Sequence, residues 1–174
     1  MDVILVDEYD NPIGTMGKME VHEKALLHRA FSIFIFNDKE EMLLQKRAAG
    51  KYHSPGLWTN TCCSHPGPGE DTLPAAQKRL EDEMGFTTPL SKAFSFVYKA
   101  FFENGLTEYE YDHVFTGTYN GLIQPNSHEV SDYCYQPLDE IKENIKTHPD
   151  HFTEWFKIAL PKLEEYLEAK KTAT

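Results

Sequence analysis

Apolar and polar positions recur along this chain with two different periods, and the switches between them lay out a mixed order of strands and helices. Val3-Ile4-Leu5-Val6 is short and apolar, and Asp10-Asn11-Pro12 with Gly14 supplies turn chemistry, so the chain opens on a hairpin-like pair of strands. Residues 18–27 follow, with Lys18, His22 and His28 near the ends of that stretch. Residues 30–36 are almost continuously apolar and aromatic, the pattern of a strand covered on both faces. Residues 37–40 turn it, and residues 42–45 return as its partner.

The period then becomes helical. Thr72–Met84 carries Leu73, Ala76, Leu80 and Met84 at the spacing of one buried face, with Thr72 as its N-cap and Gly85 as its C-cap. On that helix Arg79 and Glu83 stand at i and i+4 and share a face. Residues 94–102 and 106–119 are rich in Phe, Tyr, Val and Thr and are separated by Glu103-Asn104-Gly105, which predicts a long hairpin. In its second strand Glu108, Glu110 and Asp112 alternate with Tyr109, Tyr111 and His113, so the carboxylates share one face. Residues 130–135 read as a further strand and 137–146 as a short helix with Pro in its first turn. Thr153 caps a last helix bearing Trp155, Phe156, Leu160, Leu163 and Leu167, which Pro161 is expected to bend or interrupt.

Two stretches do not reduce to periodicity. Trp58-Thr59-Asn60-Thr61-Cys62-Cys63-Ser64-His65-Pro66 runs into Gly69-Glu70 and the acidic helix. If residues 61–65 are extended, Cys63 and His65 point the same way, so a thiol and a possible metal ligand face one cavity while Cys62 faces the other side. Lys46-Arg47-Ala48-Ala49-Gly50-Lys51 is a basic cluster in an acidic protein. Such clusters are most often solvated loops. Its place between a core strand and the Cys63 stretch favours an anion site.

Composition narrows the function. At 174 residues, with 17 Lys and Arg against 28 Asp and Glu and a net charge of −11, the chain is long enough for one domain, residues 1–174, with a real core. That charge argues against general binding to nucleic acid or an anionic membrane, while a local basic cluster can still hold a small anion. Three cysteines, two of them adjacent, make no disulfide framework, and Met1-Asp2-Val3 starts without a basic region or an apolar signal core, so a cytoplasmic, reducing setting is expected. No apolar run approaches the ~20 residues of a bilayer span.

The helix and the stretch before it resemble a degenerate Nudix box. Glu70, Leu80, Glu83, Gly85 and Phe86 fall in register with that motif, while Ser64, Lys78, Arg79 and Asp82 replace its Gly, Arg, Glu and first paired Glu. Losing part of the metal-binding carboxylate set weakens a hydrolase reading. The same departures match another family: from about Val3 to Phe156 the chain resembles the type 1 isopentenyl diphosphate isomerases. The motifs that carry the likeness are His28-Arg29-Ala30-Phe31-Ser32, the 58–66 stretch and Glu108-Tyr109-Glu110, in the family's order.

The resemblance implies an α/β fold of the Nudix kind: a mixed, largely antiparallel sheet sandwiched between helices, with an added N-terminal strand region and a C-terminal helix over the site. It implies Cys63 and Glu110 as the catalytic acid–base pair, Tyr98 as a hydrogen-bonding partner at the acidic side, and His22, His28, His65, Glu108 and Glu110 as ligands of one divalent metal. Three imidazoles and two carboxylates suit Mn²⁺ or Zn²⁺, and Mg²⁺ less typically. Lys18, Arg47, Lys51 and Arg79 match positions that contact a diphosphate, Glu83 the ligand of a Mg²⁺ bridging to it, and Trp155 an aromatic wall for a carbocation. The implied partner is a small prenyl diphosphate, with no nucleic acid or membrane, in a monomer or weak homodimer.

Taken singly, each His is an ordinary structural residue and Trp155 an ordinary core tryptophan; their joint match reverses that. Cys62 and Cys134 are read as small packing residues, and Asp112 and His113 as structural. Two other functions stand as rivals. A Nudix hydrolase would release phosphate or a monophosphate and form no alkene isomer. A non-catalytic metal or diphosphate-binding module would be indifferent to Cys63→Ser and Glu110→Gln.

Overall fold

A computed structural model describes residues 1–51, 53–102 and 104–173. In chain order its elements are β1 (Asp2–Val6), β2 (Pro12–Gly17), α1 (Lys18–Lys24), β3 (His28–Phe36), β4 (Glu41–Arg47), β5 (Trp58–Thr59), β6 (Cys62–Ser64), α2 (Thr72–Met84), β7 (Ser91–Phe101), β8 (Thr107–Thr118), β9 (Val130–Pro137), α3 (Leu138–Thr147) and α4 (Glu154–Thr172). Of the expected turn between β7 and β8, Glu103 lies outside the described residues.

β3 is the hub of the sheet. β1, β4 and β6 pair with it antiparallel and β8 pairs with it parallel, while β7 flanks β8 and β9 flanks β4, both antiparallel. One parallel pair among antiparallel ones gives the mixed, largely antiparallel α/β architecture expected from the sequence. Successive strand residues face opposite sides, so β3 feeds two cores. Phe31, Ile33 and Ile35 join Leu43 and Cys62 against Ala76, Leu80 and Met84 of α2. Phe34 joins Met42, Leu44 and Val114 against Ile141 of α3 and Phe156, Leu160 and Leu163 of α4. Each fully buried Leu, Ile, Val, Phe or Met among them contributes roughly 1.5–3 kcal/mol, so helices hold both faces of the sheet.

Four local expectations are corrected. Asp71, not Thr72, stands at the N-cap of α2, without a side-chain cap bond. Leu73 has the right angular position for the buried face, but in the first turn of the helix it stays 39 % exposed. Pro137 ends β9 and precedes α3 rather than entering its first turn. Pro161 does not interrupt α4, which runs on to Thr172; it sits at an exposed position, where a missing N–H costs least.

Gly85 closes α2 in the left-handed conformation at φ 76°, and a Cβ there would lie 2.1 Å from the Gln124 carbonyl oxygen. Only glycine fits both the turn and the close approach.

Candidate active site

Sheet register brings the chemistry-bearing residues to one face. Cys63 lies opposite Ser32 and Cys62 opposite Ile33 in the β3–β6 pairing, which sends the two cysteines to opposite sides, as alternation predicts. In the parallel β3–β8 pairing His28 lies beside Glu110 and Ala30 beside Asp112, and in β7–β8 Tyr98 lies opposite Glu110. His28, Ser32, Cys63, Tyr98, Glu108, Glu110 and Asp112 therefore share the face that α4 covers with Trp155. One turn of α1 adds Lys18 and His22.

His22, His28, His65 and Glu110 are all buried, and one ligand atom from each lies within 4.8 Å of the others. Glu110 Oε2 is 2.7 Å from His65 Nε2 and 3.3 Å from His28 Nε2. The Leu26 carbonyl accepts from His28 Nδ1 at 3.0 Å, which leaves the Nε2 lone pair aimed at the cluster, buried and without a hydrogen-bond partner. A bond from the far ring nitrogen to a backbone carbonyl is how ligating histidines are oriented. The donor set fits a divalent ion.

Electrostatics agree with that use. Burial holds His22 down at about 3, helped by His65 and His28, and burial likewise holds His65 at about 4 against the pull of Glu110. Both imidazoles are neutral at pH 7 and able to donate lone pairs. Burial alone would raise Glu110, but His65 and His28 hold it well below the ordinary carboxylate range, so it is ionised.

A stability prediction follows from the sign of these shifts. In the unfolded chain the two imidazoles titrate near the ordinary 6.5, and in the metal-free folded chain near 3 and 4. Between those values the unfolded state binds protons that the folded state does not, so stability is complete above the unfolded value and falls as pH is lowered. The Tm of chelator-treated protein is expected to drop between pH 7 and pH 5. A flat Tm across that range would contradict the buried, neutral His22 and His65.

Glu108 stands next to this group rather than in it. It and Glu110 both accept from the Tyr98 hydroxyl, at 2.5 Å for Glu110. Burial, together with the Glu110 charge, pushes the Glu108 carboxyl well up.

Cys63 is half-buried beside Tyr98 and Trp155. Its Sγ lies 3.1 Å from Asn60 Oδ1 and 3.5 Å from Ser32 Oγ. Burial, reinforced by the Asp112 charge, pushes its thiol well above the usual range, so at neutral pH it is a neutral S–H.

The cleft above these groups is lined by Cys63, His65, Tyr98, Glu108, Glu110 and Trp155 together with Lys18, Arg47, Lys51 and Arg79. Every residue expected to touch a diphosphate therefore opens onto the space that holds the thiol. Burial, with Lys51 and Arg47 nearby, lowers the Lys18 ammonium, the mark of a concentrated positive site. The Arg47 guanidinium sits 5.0 Å from the centre of the Trp155 ring. Glu83, 6 % exposed, accepts from Arg79 at 2.6 Å and from Gln45 at 3.0 Å.

Sequence reasoning missed several residues of this cleft. Glu129 pairs with both Lys51 at 2.5 Å and Arg79 at 3.2 Å; it reaches them through the β4–β9 pairing, a long-range contact with no local signature. His53 stacks on Phe102 at 5.1 Å and meets Trp155 edge-on at 5.6 Å, and its place next to the basic cluster was the available signal. Asn60 carries no signal in the sequence beyond its motif, and its contact with the thiol emerges from its hydrogen bonds. Asp112, expected to be structural, lies on the site face by the same alternation that locates Glu110.

Comparison with known proteins gives consistent results. The NUDIX domain family matches residues 26–156. The chain is 47 % identical over 171 residues, 98 % of its length and 96 % of the relative's, to an isopentenyl-diphosphate Delta-isomerase of Pectobacterium atrosepticum. It is 54 % identical over 155 residues, 89 % and 88 % of the two lengths, to isopentenyl-diphosphate Delta-isomerase 2 of Photorhabdus laumondii. Among solved structures a Deinococcus radiodurans protein aligns with a TM-score of 0.77 at 14 % identity, covering 93 % and 98 % of the two chains. A MutT protein from Methanosarcina mazei aligns with a TM-score of 0.66 at 17 % identity, covering 83 % and 96 %; both likenesses concern the fold alone.

Proposed function

The chain belongs to the isopentenyl-diphosphate Delta-isomerase family, and we propose that it interconverts isopentenyl and dimethylallyl diphosphate in isoprenoid biosynthesis, with Cys63 and Glu110 dividing the two proton transfers. The observation that carries this reading is a single cleft in which a neutral thiol and an ionised carboxylate share space with four cationic side chains.

The reaction moves a double bond by adding a proton to an unactivated alkene and removing one from a neighbouring carbon. It needs one group that holds a proton and one that lacks it, each recharging the other over the cycle. Cys63 and Glu110 are in those complementary states. Tyr98 holds the Glu110 carboxylate in place through its hydroxyl. Lys18, Arg47, Lys51 and Arg79 fix the diphosphate, and that anchor sets the alkene against the thiol and the carboxylate.

His22, His28, His65 and Glu110, with Glu108 as a fifth ligand, would hold a divalent ion that fixes the carboxylate and tunes its proton affinity, and Glu83 would hold a Mg²⁺ that neutralises diphosphate charge. Arg79 stands where a Nudix hydrolase carries a metal-binding Glu. The guanidinium keeps the diphosphate bound without activating a water against it.

Charge built up on the substrate between the two transfers is met by Trp155. This ring already carries a guanidinium near its face, so it is a cation-binding surface. A cation over a desolvated indole gains about 2 kcal/mol, roughly 30-fold in rate. Trp155→Leu is expected to lower kcat by about that factor with KM nearly unchanged, and Trp155→Phe to recover most of it. Equal losses in the two variants would show that the ring's electrons are not used.

Incubation with isopentenyl diphosphate and Mg²⁺, followed by NMR, tests the function. Dimethylallyl diphosphate with no phosphate released is the expected result. Phosphate or a monophosphate without any alkene isomer would establish a hydrolase instead.

A further inference from the structure

Cys63, Ser32 and Asp112 form a line of polar side chains running from the cleft into the sheet, and nothing in the reaction above uses the inner two. They come from three strands held in register, β6, β3 and β8. Ser32 Oγ lies 3.5 Å from Cys63 Sγ and donates to Asp112 Oδ2 at 2.6 Å. Ser32 is 3 % exposed and Asp112 1 %.

Asp112 is costly where it stands. Its second oxygen, Oδ1, is buried with no hydrogen-bond partner among the described residues. Burial, and after it the Glu110 charge, push its carboxyl well up, against the opposing pull of the Ser32 bond and of Lys92. An apolar side chain would fill the same place without a desolvation penalty. Among the described residues, the only side-chain hydrogen bond of this carboxyl goes to Ser32.

Asn60, the other polar neighbour of the sulfur, cannot replace Ser32. Its Nδ2 donates to the carbonyls of Ile33 at 3.0 Å and Cys62 at 3.1 Å, which fixes the amide so that Oδ1 faces Sγ. An amide oxygen accepts from S–H and gives nothing to a sulfur that has lost its proton. A hydroxyl does both: it turns its hydrogen to Asp112 or to Sγ.

We propose that Ser32, anchored on Asp112, is a positioning residue for Cys63, holding Sγ at one place in the cleft and serving as its hydrogen-bond partner on both sides of the proton transfer. Only hydrogen bonds rearrange, and the transferred proton remains that of Cys63. The inference rests on Cys63 being the proton carrier.

The test uses the full chain with Ser32→Ala, Ser32→Thr, Asp112→Asn and the Ser32→Ala/Asp112→Asn double variant, measuring kcat and KM for isopentenyl diphosphate, bound metal and Tm. Ser32→Ala is expected to lose about 10-fold in kcat, the size of one net hydrogen bond, with KM within about 2-fold of the parent. Ser32→Thr, which keeps the hydroxyl, should recover most of the loss. Asp112→Asn should lower kcat as well, and the double variant should be no slower than Ser32→Ala, because Asp112 acts through Ser32.

Three results would overturn the proposal: parental kcat in a folded Ser32→Ala protein, a rise in KM in place of a fall in kcat, or an Asp112→Asn loss that persists in full when Ser32 is already Ala. Should Asp112→Asn not fold, the Ala and Thr variants at Ser32 decide by themselves. Cys63→Ala is run in parallel. If it retains activity, the reading of the site has failed; if it is dead while Ser32→Ala matches the parent, only this inference has.

Discussion

Cys63→Ala is expected to lower kcat for isopentenyl diphosphate by about 10³- to 10⁴-fold, the upper range for removal of a general acid–base group. The change takes away one sulfur from a half-buried position and leaves the imidazole cluster and Glu110 untouched. Bound metal, diphosphate affinity and Tm should all stay close to those of the parent. That combination separates loss of a proton carrier from loss of the fold. Cys63→Ser should be nearly as slow, because a hydroxyl is a far weaker acid than a thiol. Parental activity in either variant would remove sulfur from the reaction.

Glu110→Gln should be as damaging for a different reason. The carboxylate touches His65 at 2.7 Å and His28 at 3.3 Å and accepts from Tyr98, so its charge serves both the proton transfer and the imidazole cluster. The amide keeps the shape and loses the charge. Activity is expected to fall by about 10³-fold or more, with metal retained after dialysis falling as well, read by elemental analysis. Cys63→Ala loses activity alone, whereas Glu110→Gln loses activity and metal together. A Glu110→Gln protein that keeps its metal fully and isomerises normally would contradict both assigned roles.

Most of this arrangement was legible before any coordinates. The two-residue period of β8 placed Glu108, Glu110 and Asp112 on one face, and the same rule separated Cys62 from Cys63. The helical spacing of Ala76, Leu80 and Met84 located α2, and Arg79 and Glu83 pair as their i, i+4 positions require. These are local rules, and they work because helix and strand geometry repeats within a few residues.

What stayed hidden depends on register between distant strands. Glu129 reaches Lys51 only because β9 lies beside β4, and Ser32 meets both Cys63 and Asp112 only because β6 and β8 flank β3. Glu108 shows a second limit. Alternation puts it on the right face, but the β3–β8 register, which sets Glu110 beside His28, decides that Glu110 and not Glu108 stands within the imidazole cluster.

The central claim is that one group gives a proton to the substrate while a different group takes one away. Conversion of isopentenyl diphosphate in deuterated water, with the product examined by NMR at low conversion, tests it directly. The account predicts a deuterium atom in the newly formed methyl group of dimethylallyl diphosphate, delivered by a residue that had exchanged with solvent. Product whose new methyl group holds no deuterium would mean that a single residue had carried the same hydrogen from one carbon to the other, and the two-residue account would be wrong.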